Sequence, residues 1–233
     1  MQIGSLAETA ELGRAVPNEY VIGGRASSPK LADAFKFAFE WIVAALAVVL
    51  LGPLMLLVAL AILVADGRPV FFGHRRVGRD GKTFRCLKFR TMAVDAEARL
   101  AGLLASDAAA RREWALTQKL ADDPRILPMG RVLRALSLDE LPQFLNVLLG
   151  DMSLVGPRPV TSGELARYGA GAARYVAVRP GLTGPWQIGG RSGVSFQERV
   201  AIDVDYVSNR TFLGDVDIIL RTPAAVIKRT GAC

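Results

Sequence analysis

Residues 41–65 read WIVAALAVVLLGPLMLLVALAILVA, and they contain no charged side chain. As one α-helix this segment would be roughly 37 Å long, which exceeds the roughly 30 Å hydrocarbon core of a bilayer. It starts too far along the chain, and is too long, for a secretory signal peptide. The segment therefore predicts a membrane-inserted helix, and we take residues 31–66 as the membrane segment.

Gly52 and Pro53 lie near the middle of this segment. Proline lacks a backbone donor and clashes with the preceding turn, so a kink or break is expected there. Each half alone would reach only roughly 18 Å and could not cross a bilayer. Positive side chains flank both ends: Arg25, Lys30 and Lys36 before the segment, and Arg68, Arg75, Arg76, Arg79, Lys82, Arg85, Lys88 and Arg90 after it.

Because positive charge favours the cytoplasmic side, this distribution disfavours placing either end outside the cell. One interpretation is a re-entrant helix, broken at Gly52 and Pro53, that enters and leaves on the cytoplasmic face. The other is a kinked spanning helix, since prolines are tolerated in such helices. The residues alone leave both open.

The remaining chain predicts a flexible tail over 1–30, rich in Gly, Ser and Ala, and one domain over 67–233. Asp80-Gly81 between apolar stretches predicts a β-hairpin. Further expectations are helix over 93–120 and 131–136, loop over 179–193, and an amphipathic helix over 200–227 that packs or lies in the bilayer interface. The predicted fold class is an α-dominated α+β monotopic membrane protein: a broken re-entrant helix plus a cytoplasmic domain with a short β-hairpin and interfacial amphipathic helices.

The composition is both apolar and basic. Hydrophobic residues make up 51% of the chain, and 29 Lys and Arg against 22 Asp and Glu give a net charge of +7. This combination favours an anionic partner at a membrane, such as lipid headgroups, a nucleotide or a pyrophosphate. Nucleic acid is disfavoured, because no groove-reading motif is present and aromatic residues make up only 7%. His74 is the single histidine, and Cys86 and Cys233 are the only cysteines, which excludes His-rich metal sites.

Asp139 and Glu140 stand side by side in SLDELPQFLNVLLGDMSLVGPRP, residues 137–159. Ser137 and Glu140 fit a capping box, in which the two side chains satisfy the first free amides of a helix. Acidic residues in a first turn also suit the helix dipole. On spacing alone, helix capping is the better explanation of this pair.

The neighbourhood favours a reaction centre instead. A helix N-terminus also attracts phosphates, and Arg131, Arg134 and Arg158 are near in sequence. An aspartate beside arginines stays ionised well below neutral pH, so that it can attack phosphorus as a covalent nucleophile. The adjacent glutamate could hold Mg²⁺ against a pyrophosphate.

Four motifs carry a resemblance to a known family. They are KFRTM (88–92), SLDELPQFLNVLLGDMSLVGPRP (137–159), RPGLTG (179–184) and WQIGGRS (186–192). Over residues 30–230 the chain resembles the bacterial sugar transferases, in the small form of the monotopic polyprenyl-phosphate phosphoglycosyl transferases.

The resemblance implies a two-step reaction on the cytoplasmic face of the bacterial inner membrane. Asp139 would attack the β-phosphorus of a UDP-sugar and expel UMP, with Glu140 as the Mg²⁺ ligand. Polyprenyl (undecaprenyl) phosphate would then take the phosphosugar, in the first membrane step of exopolysaccharide or other glycoconjugate assembly. By motif match, the substrate and phosphate contacts would be Lys88, Arg90, Arg134, Arg158, Arg179, Arg191 and Asp203.

The resemblance also favours the re-entrant course, because the family breaks its membrane helix near a pair that matches Gly52 and Pro53. The chain departs from the family at Leu127 in DDPRILPMG (122–130), where threonine is common. This departure leaves the packing of the loop 122–130 in doubt. WQIGGRS is closer to relatives that use hexoses such as galactose or glucose. Two alternatives remain: a membrane-bound glycosyl transferase that releases UDP, and a non-enzymatic basic module that binds membrane anions.

Overall fold

The computed structural model describes residues 31–117, 120–189 and 195–227. The predicted tail over 1–30 lies outside these residues. In the described part the helices are α1 (Leu31–Asp66), α2 (Ala96–Ser106), α3 (Ala108–Thr117), α4 (Pro128–Ala135), α5 (Gln143–Leu148), α6 (Ser162–Ala166), α7 (Ala172–Val176), α8 (Pro185–Gly189), α9 (Phe196–Asn209) and α10 (Phe212–Ile227). Short 3₁₀ turns cover Arg79–Gly81, Leu138–Glu140 and Gly169–Gly171.

The predicted hairpin is confirmed. Strand β1 (Phe71–Val77) pairs antiparallel with β2 (Thr83–Phe89), with Phe71 opposite Phe89. Asp80 and Gly81 at the turn both have positive φ angles, 57° and 74°. Glycine adopts this conformation without steric cost, and aspartate tolerates it better than most residues.

Helix α1 contains the predicted membrane segment as one helix of 36 residues. Only 11% of its most apolar stretch is buried within the protein, and Val64 is 86% exposed. Gly52 and Pro53 lie inside α1, which continues through this pair as one helix, so no separation into two helices is seen. Proline in a helix interior removes one backbone donor and favours a kink, and the re-entrant course of α1 stays a prediction. An exposed apolar surface of this kind is typical of a segment that contacts a membrane or another protein.

Both ends of α1 are attached to the domain by charged groups. Near its start, Lys36 lies 2.9 Å from Glu40 and also contacts Asp215. Glu40 is buried and accepts a hydrogen bond from the Ser153 hydroxyl at 2.6 Å. At its end, the Asp66 carboxylate pairs with buried Arg90. A helix with its apolar middle exposed is thus fixed to the same domain at both ends.

Three apolar clusters form the core. The first packs Met55, Val58 and Ile62 of α1 against Phe89 and Leu133. The second joins α1 to the centre of the domain through Ala44, Cys86, Val147, Met152, Leu154, Val155 and Ile218. The third lies beneath the hairpin and contains Val77, Val160, Leu165, Tyr168, Ala172, Tyr175 and Val176.

A second, parallel pair of strands corrects the sequence interpretation. Strand β3 (Ser153–Val155) pairs with β4 (Gly181–Thr183), and α8 follows at once, in a stretch predicted to be loop. These elements are too short to show a hydrophobic period. Their glycines permit close approach: a Cβ on Gly181 would lie 2.1 Å from the Gly156 amide nitrogen, and one on Gly184 would lie 2.2 Å from the Gly156 carbonyl oxygen.

Two predicted helices are each divided. The stretch over 93–120 forms α2 and α3, with Asp107 between them, and the stretch over 200–227 forms parts of α9 and α10. Helix α9 begins with a capping box, in which Ser195 and Glu198 bond each other's backbone amides at 2.7 and 3.2 Å. In helix α10, Asp215 and Ile218 are buried, while Leu213 and Leu220 are exposed. The amphipathic helix expected here stays a prediction.

Replacing Gly181 by alanine should destabilise the protein by about 1–3 kcal/mol, because the new methyl group would overlap backbone atoms of Gly156 that cannot rotate away. The measurement is the thermal unfolding temperature in detergent micelles. Gly163→Ala is the matched control, since no atom lies within 4 Å of its added Cβ. Equal unfolding temperatures for the two variants would contradict the importance of this contact.

Candidate active site

The acidic pair lies in a 3₁₀ turn and not at the start of a regular helix. Ser137 has a left-handed backbone conformation (φ 55°), and its hydroxyl caps nothing. The capping-box interpretation is therefore wrong. The next helix, α5, begins only at Gln143 and has six residues, so the expected phosphate site at a helix N-terminus is also not found. Asp139 is nonetheless only 6% exposed. Helix capping does not account for this burial, so its cause lies in the surrounding contacts.

Lys88, from strand β2, joins the two carboxylates. Its Nζ atom lies 2.6 Å from Glu140 Oε1 and 3.6 Å from Asp139 Oδ2. Burial raises the pKa of the Asp139 carboxyl above its ordinary value, while the charge of Lys88 lowers it and that of Glu140 raises it again. The sequence argument considered only the nearby cations. Burial outweighs them, so the expectation of a low pKa at Asp139 is corrected.

Arg134 reaches the same site because α4 packs closely on the segment after β2. A Cβ on Gly130 would lie 2.2 Å from the Thr91 carbonyl oxygen. The Arg134 Nε atom donates to the Thr91 hydroxyl at 2.9 Å, and the positive charge of Arg134 lowers the Asp139 pKa. Leu127 is the N-cap residue of α4 and forms no side-chain cap. A threonine at this position could cap the helix, a contribution of about 1 kcal/mol, so the departure at Leu127 affects this helix start.

The dyad faces a cavity of about 1400 Å³. Its polar wall contains Lys88, Arg134, Asp139, Glu140, Arg158, Glu164 and Arg199. Its apolar wall contains Val43 and Ala47 of α1, Phe144, Leu154, Leu182, and Ile219, Pro223 and Val226 of α10. Because single-ligand pockets are commonly about 300–1,000 Å³, this cavity has room for parts of two substrates.

Two arginines stack on one tryptophan beside the dyad. Arg158, which follows β3, lies with its guanidinium carbon 5.1 Å from the Trp186 ring centre, and Arg199 of α9 lies 5.6 Å from it. The Trp186 Nε1 and Arg199 Nε atoms are buried and have no hydrogen-bond partner among the described residues. Sequence reasoning missed Arg199. The only signal was its position four residues before Asp203, which places both on one face of a helix.

Asp203 lies behind these arginines and does not line the cavity. It is fully buried, and the Tyr168 hydroxyl donates to its Oδ2 atom at 2.8 Å. Burial raises the pKa of Asp203 to about 6, although the Tyr168 hydrogen bond and the charges of Arg199 and Arg158 lower it. Its position is that of a positioning residue for the two arginines.

Three of the predicted contact residues show no contact with the dyad in the described part of the chain. Arg90 lines the same cavity, but its guanidinium pairs with Asp66 and donates to the carbonyls of Pro69 at 2.6 Å, Gly67 at 2.8 Å and Asp66 at 2.9 Å, so that these donors anchor the end of α1. Arg179 lines a different, smaller cavity. Arg191 lies outside the described residues.

The family model for the bacterial sugar transferases matches residues 31–229. The chain belongs to this family. It is 49% identical over 197 residues to the exopolysaccharide production protein ExoY of Sinorhizobium fredii, covering 84% of this chain and 87% of that protein. The predicted family and enzyme class, a phosphoglycosyl transferase, are confirmed.

Two further relatives carry names that state a reaction. The undecaprenyl-phosphate galactose phosphotransferase of Salmonella typhimurium is 45% identical over 197 residues, which are 84% of this chain but only 41% of that protein. The UDP-glucose:undecaprenyl-phosphate glucose-1-phosphate transferase of Caulobacter vibrioides is 39% identical over 214 residues, which are 88% of this chain and 74% of that protein. This bacterial sugar transferase is therefore similar to proteins named for two different hexoses.

We expect Asp203→Asn to reduce the pH dependence of stability between pH values of about 4 and 6. Because the folded pKa of about 6 exceeds the ordinary 3.8, the native carboxyl binds its proton more tightly than the unfolded one. Its contribution, about 2–3 kcal/mol, is present below pH ~4 and is lost as the pH rises through ~6.

The measurement is the unfolding temperature of each variant in detergent across this pH range. Asp205→Asn is the control, because Asp205 is exposed on the same helix. An Asp203→Asn variant that keeps the wild-type pH dependence would contradict the assignment of a raised pKa to Asp203.

Proposed function

We propose that this protein transfers a sugar 1-phosphate from a UDP-sugar to polyprenyl phosphate and releases UMP. The observation that carries the proposal is one cavity in which the buried Asp139 faces both a basic wall and an apolar wall. The names of the relatives, which include undecaprenyl-phosphate sugar phosphotransferases, support the same reaction class. Exopolysaccharide assembly is the process we propose, by similarity to the ExoY protein.

The basic wall suits the nucleotide diphosphate. Arg134, Arg158 and Arg199 present guanidinium groups around the dyad, and arginine binds phosphate oxygens through paired donors. The partnerless Nε donors of Arg199 and Trp186 could bond the diphosphate or the sugar. These side chains would hold the β-phosphorus next to Asp139, which converts a bimolecular attack into one within a complex.

The apolar wall suits the polyprenyl chain. It is formed by Val43 and Ala47 of α1 and by Ile219, Pro223 and Val226 of α10. Both helices also expose large apolar side chains outward, so that the cavity continues into surface that lipid would cover. A lipid phosphate could thereby reach Lys88 while its chain remains among apolar groups.

In the proposed reaction, an Asp139 carboxylate oxygen forms a bond to the β-phosphorus as the bond to the bridging oxygen breaks. The electron pair leaves with UMP. A phosphate oxygen of the polyprenyl phosphate then attacks the same phosphorus, and the carboxylate of Asp139 is released unchanged. One site serves both substrates in turn, which fits the size of the cavity.

The residues at the site fit a magnesium ion. Asp139 and Glu140 both direct an oxygen at the Lys88 ammonium group, so they converge on one positively charged position. Among the described residues, no cluster of three His, Cys, Asp or Glu side chains could hold a metal alone. Mg²⁺ usually takes one or two carboxylates and completes its shell with water and phosphate oxygens. When bound, the ion would neutralise diphosphate charge, and Glu140 is the ligand we propose.

We propose a hexose as the sugar. The relatives named above carry galactose and glucose in their names, and the sequence WQIGGRS (186–192) points the same way. Trp186 lies in the cavity beside Arg158, where its ring could stack on a sugar.

We infer a re-entrant course for α1 on the cytoplasmic face of the inner membrane. Lys36 and Glu40 near its start, and Asp66 at its end, all contact the same domain. One end of a straight, perpendicular spanning helix would lie across the bilayer from the domain. These attachments therefore favour a helix that is kinked at Gly52 and Pro53 and keeps both ends on one side of the membrane.

The reaction is tested with the full chain in lipid nanodiscs, with Mg²⁺, undecaprenyl phosphate and a panel of UDP-sugars. We expect UMP from a UDP-hexose, and a loss of at least about a thousandfold with Asp139→Asn, because the nucleophile is removed. Without the lipid acceptor, intact mass spectrometry should detect a phosphosugar adduct on the wild-type protein.

Asp122→Asn is the control, since its side chain is 87% exposed. It should retain wild-type turnover. Release of UDP would instead support direct glycosyl transfer, and absence of turnover with any donor would support a non-enzymatic membrane module.

The course of α1 is tested by single cysteines in a chain with Cys86 and Cys233 replaced by serine. Ala34→Cys and Arg68→Cys are both exposed positions beside the ends of the apolar segment. We expect an impermeant maleimide to label both only from the cytoplasmic side, as it should label the exposed control Arg112→Cys. Labelling of one end from the periplasm would establish a spanning helix.

A further inference from the structure

A second cavity, of about 60 Å³, lies where α1 begins and shares no lining residue with the catalytic cavity. Its charged lining residues are Asp33, Lys36, Glu40, Arg79, Arg179 and Arg210. Four of the six are basic, and the reaction proposed above uses none of them.

Most of these charges are already neutralised. Lys36 pairs with Glu40 at 2.9 Å and with Asp215. Glu40 is further satisfied by the Ser153 hydroxyl. Arg210 lies 3.2 Å from Asp33. Lys36 and Arg210 therefore have carboxylate partners, and the two acids of the lining are themselves paired.

Arg79 and Arg179 are the least neutralised of the four cations. The carboxylate paired with Arg79 is that of Asp80, at 3.8 Å on an exposed turn. Arg179 stacks on Phe37, with its guanidinium carbon 4.7 Å from the ring centre, and has no ion pair within the described part of the chain. Its partial burial lowers its pKa and the charge of Arg79 lowers it further, while the charges of Glu40, Asp33 and Asp80 raise it.

Packing holds these two arginines near each other despite their repulsion. The turn that carries Arg79 packs against α7 (Ala172–Val176), three residues before Arg179. The backbone of Arg179 is itself fixed, because its carbonyl oxygen would lie 2.6 Å from a Cβ on Gly156. Two like charges kept together by packing form a preorganised anion site.

The surroundings of this site indicate which anion it binds. Phe35, at the start of α1, is exposed and packs edge-on against Phe212 of α10 at 5.2 Å, and Leu213 beside it is 78% exposed. The lipid-facing surface of α1 continues from there. Phe212 and Leu213 follow Arg210 of the cavity lining within three residues, so a phosphate bound at this site would lie near apolar surface that acyl chains can cover.

We propose that Arg79 and Arg179, with Arg210 at the rim, bind the phosphate of an anionic phospholipid at the start of α1. The site would anchor the domain against the headgroup layer, independently of catalysis. Inorganic phosphate offers the same chemistry without the acyl chains, so the experiment separates these two sources.

The test uses the delipidated full chain in detergent micelles, titrated with dioctanoyl phosphatidylglycerol, dioctanoyl phosphatidylcholine or inorganic phosphate. The shift in unfolding temperature reports binding. We expect phosphatidylglycerol to raise the unfolding temperature of the wild type, with an apparent affinity at least about tenfold weaker in Arg79→Gln/Arg179→Gln, since arginines near a lipid surface attract anionic headgroups. Arg79→Gln alone, at a position exposed to solvent, should give part of this loss without disturbing the fold.

Arg112→Gln removes the same charge from an exposed helix and should bind like the wild type. The proposal is overturned if the double variant binds phosphatidylglycerol as the wild type does, or if phosphatidylcholine is bound equally well. Equal, arginine-dependent binding of inorganic phosphate would support the anion site and overturn its assignment to lipid. Since no turnover is measured, failure here would leave the proposed reaction untouched.

Discussion

The attachment of α1 at both ends is the constraint on which the rest of the structure depends. Much of the apolar surface of α1 is exposed, and only a few of its residues, such as Met55, Val58 and Ile62, pack into the core, so specific contacts at its ends also hold it on the domain. Those contacts are buried charged groups: Glu40 with Ser153 near the start, and Arg90 with Asp66 at the end. Buried charges of this kind are costly when one partner is missing, so each of them fixes a definite position of the helix on the domain.

This position creates the cavity that Asp139 and Glu140 line. Val43 and Ala47 of α1 form its apolar wall together with residues of α10, while Lys88, Asp139 and Glu140 form its polar wall. The β3–β4 pair adds Arg158 and Trp186 to the edge of the cavity, since its glycines let the two segments approach within backbone contact. The chemistry proposed for the site needs one lipid substrate and one water-soluble substrate, and this arrangement brings surfaces suited to both within one space.

Charge is distributed unevenly around that space. Lys88 holds the two carboxylates together, while burial raises the Asp139 pKa above its ordinary value. Arg158 and Arg199 both lie over the Trp186 ring, and the nearby Asp203 is buried. Arg90 and Arg179 belong to the attachment of α1 and to its surroundings. The arginines that match family motifs therefore lie in different sites of the fold, because each contacts partners from a distant part of the chain.

The sequence by itself determined the membrane helix, the hairpin turn, the acidic pair and the family, because each is a local pattern: an uncharged apolar run, an Asp-Gly turn, or a motif of neighbouring residues. It could not determine that Ser137 adopts a left-handed conformation, that residues 181–189 form a strand and a helix, or that Arg199 joins the site. Those features depend on contacts between segments distant in sequence, such as Gly156 with Gly181 and α9 with α8. Only the tertiary structure decided them, because close packing, and not local propensity, sets the free energy of such short elements.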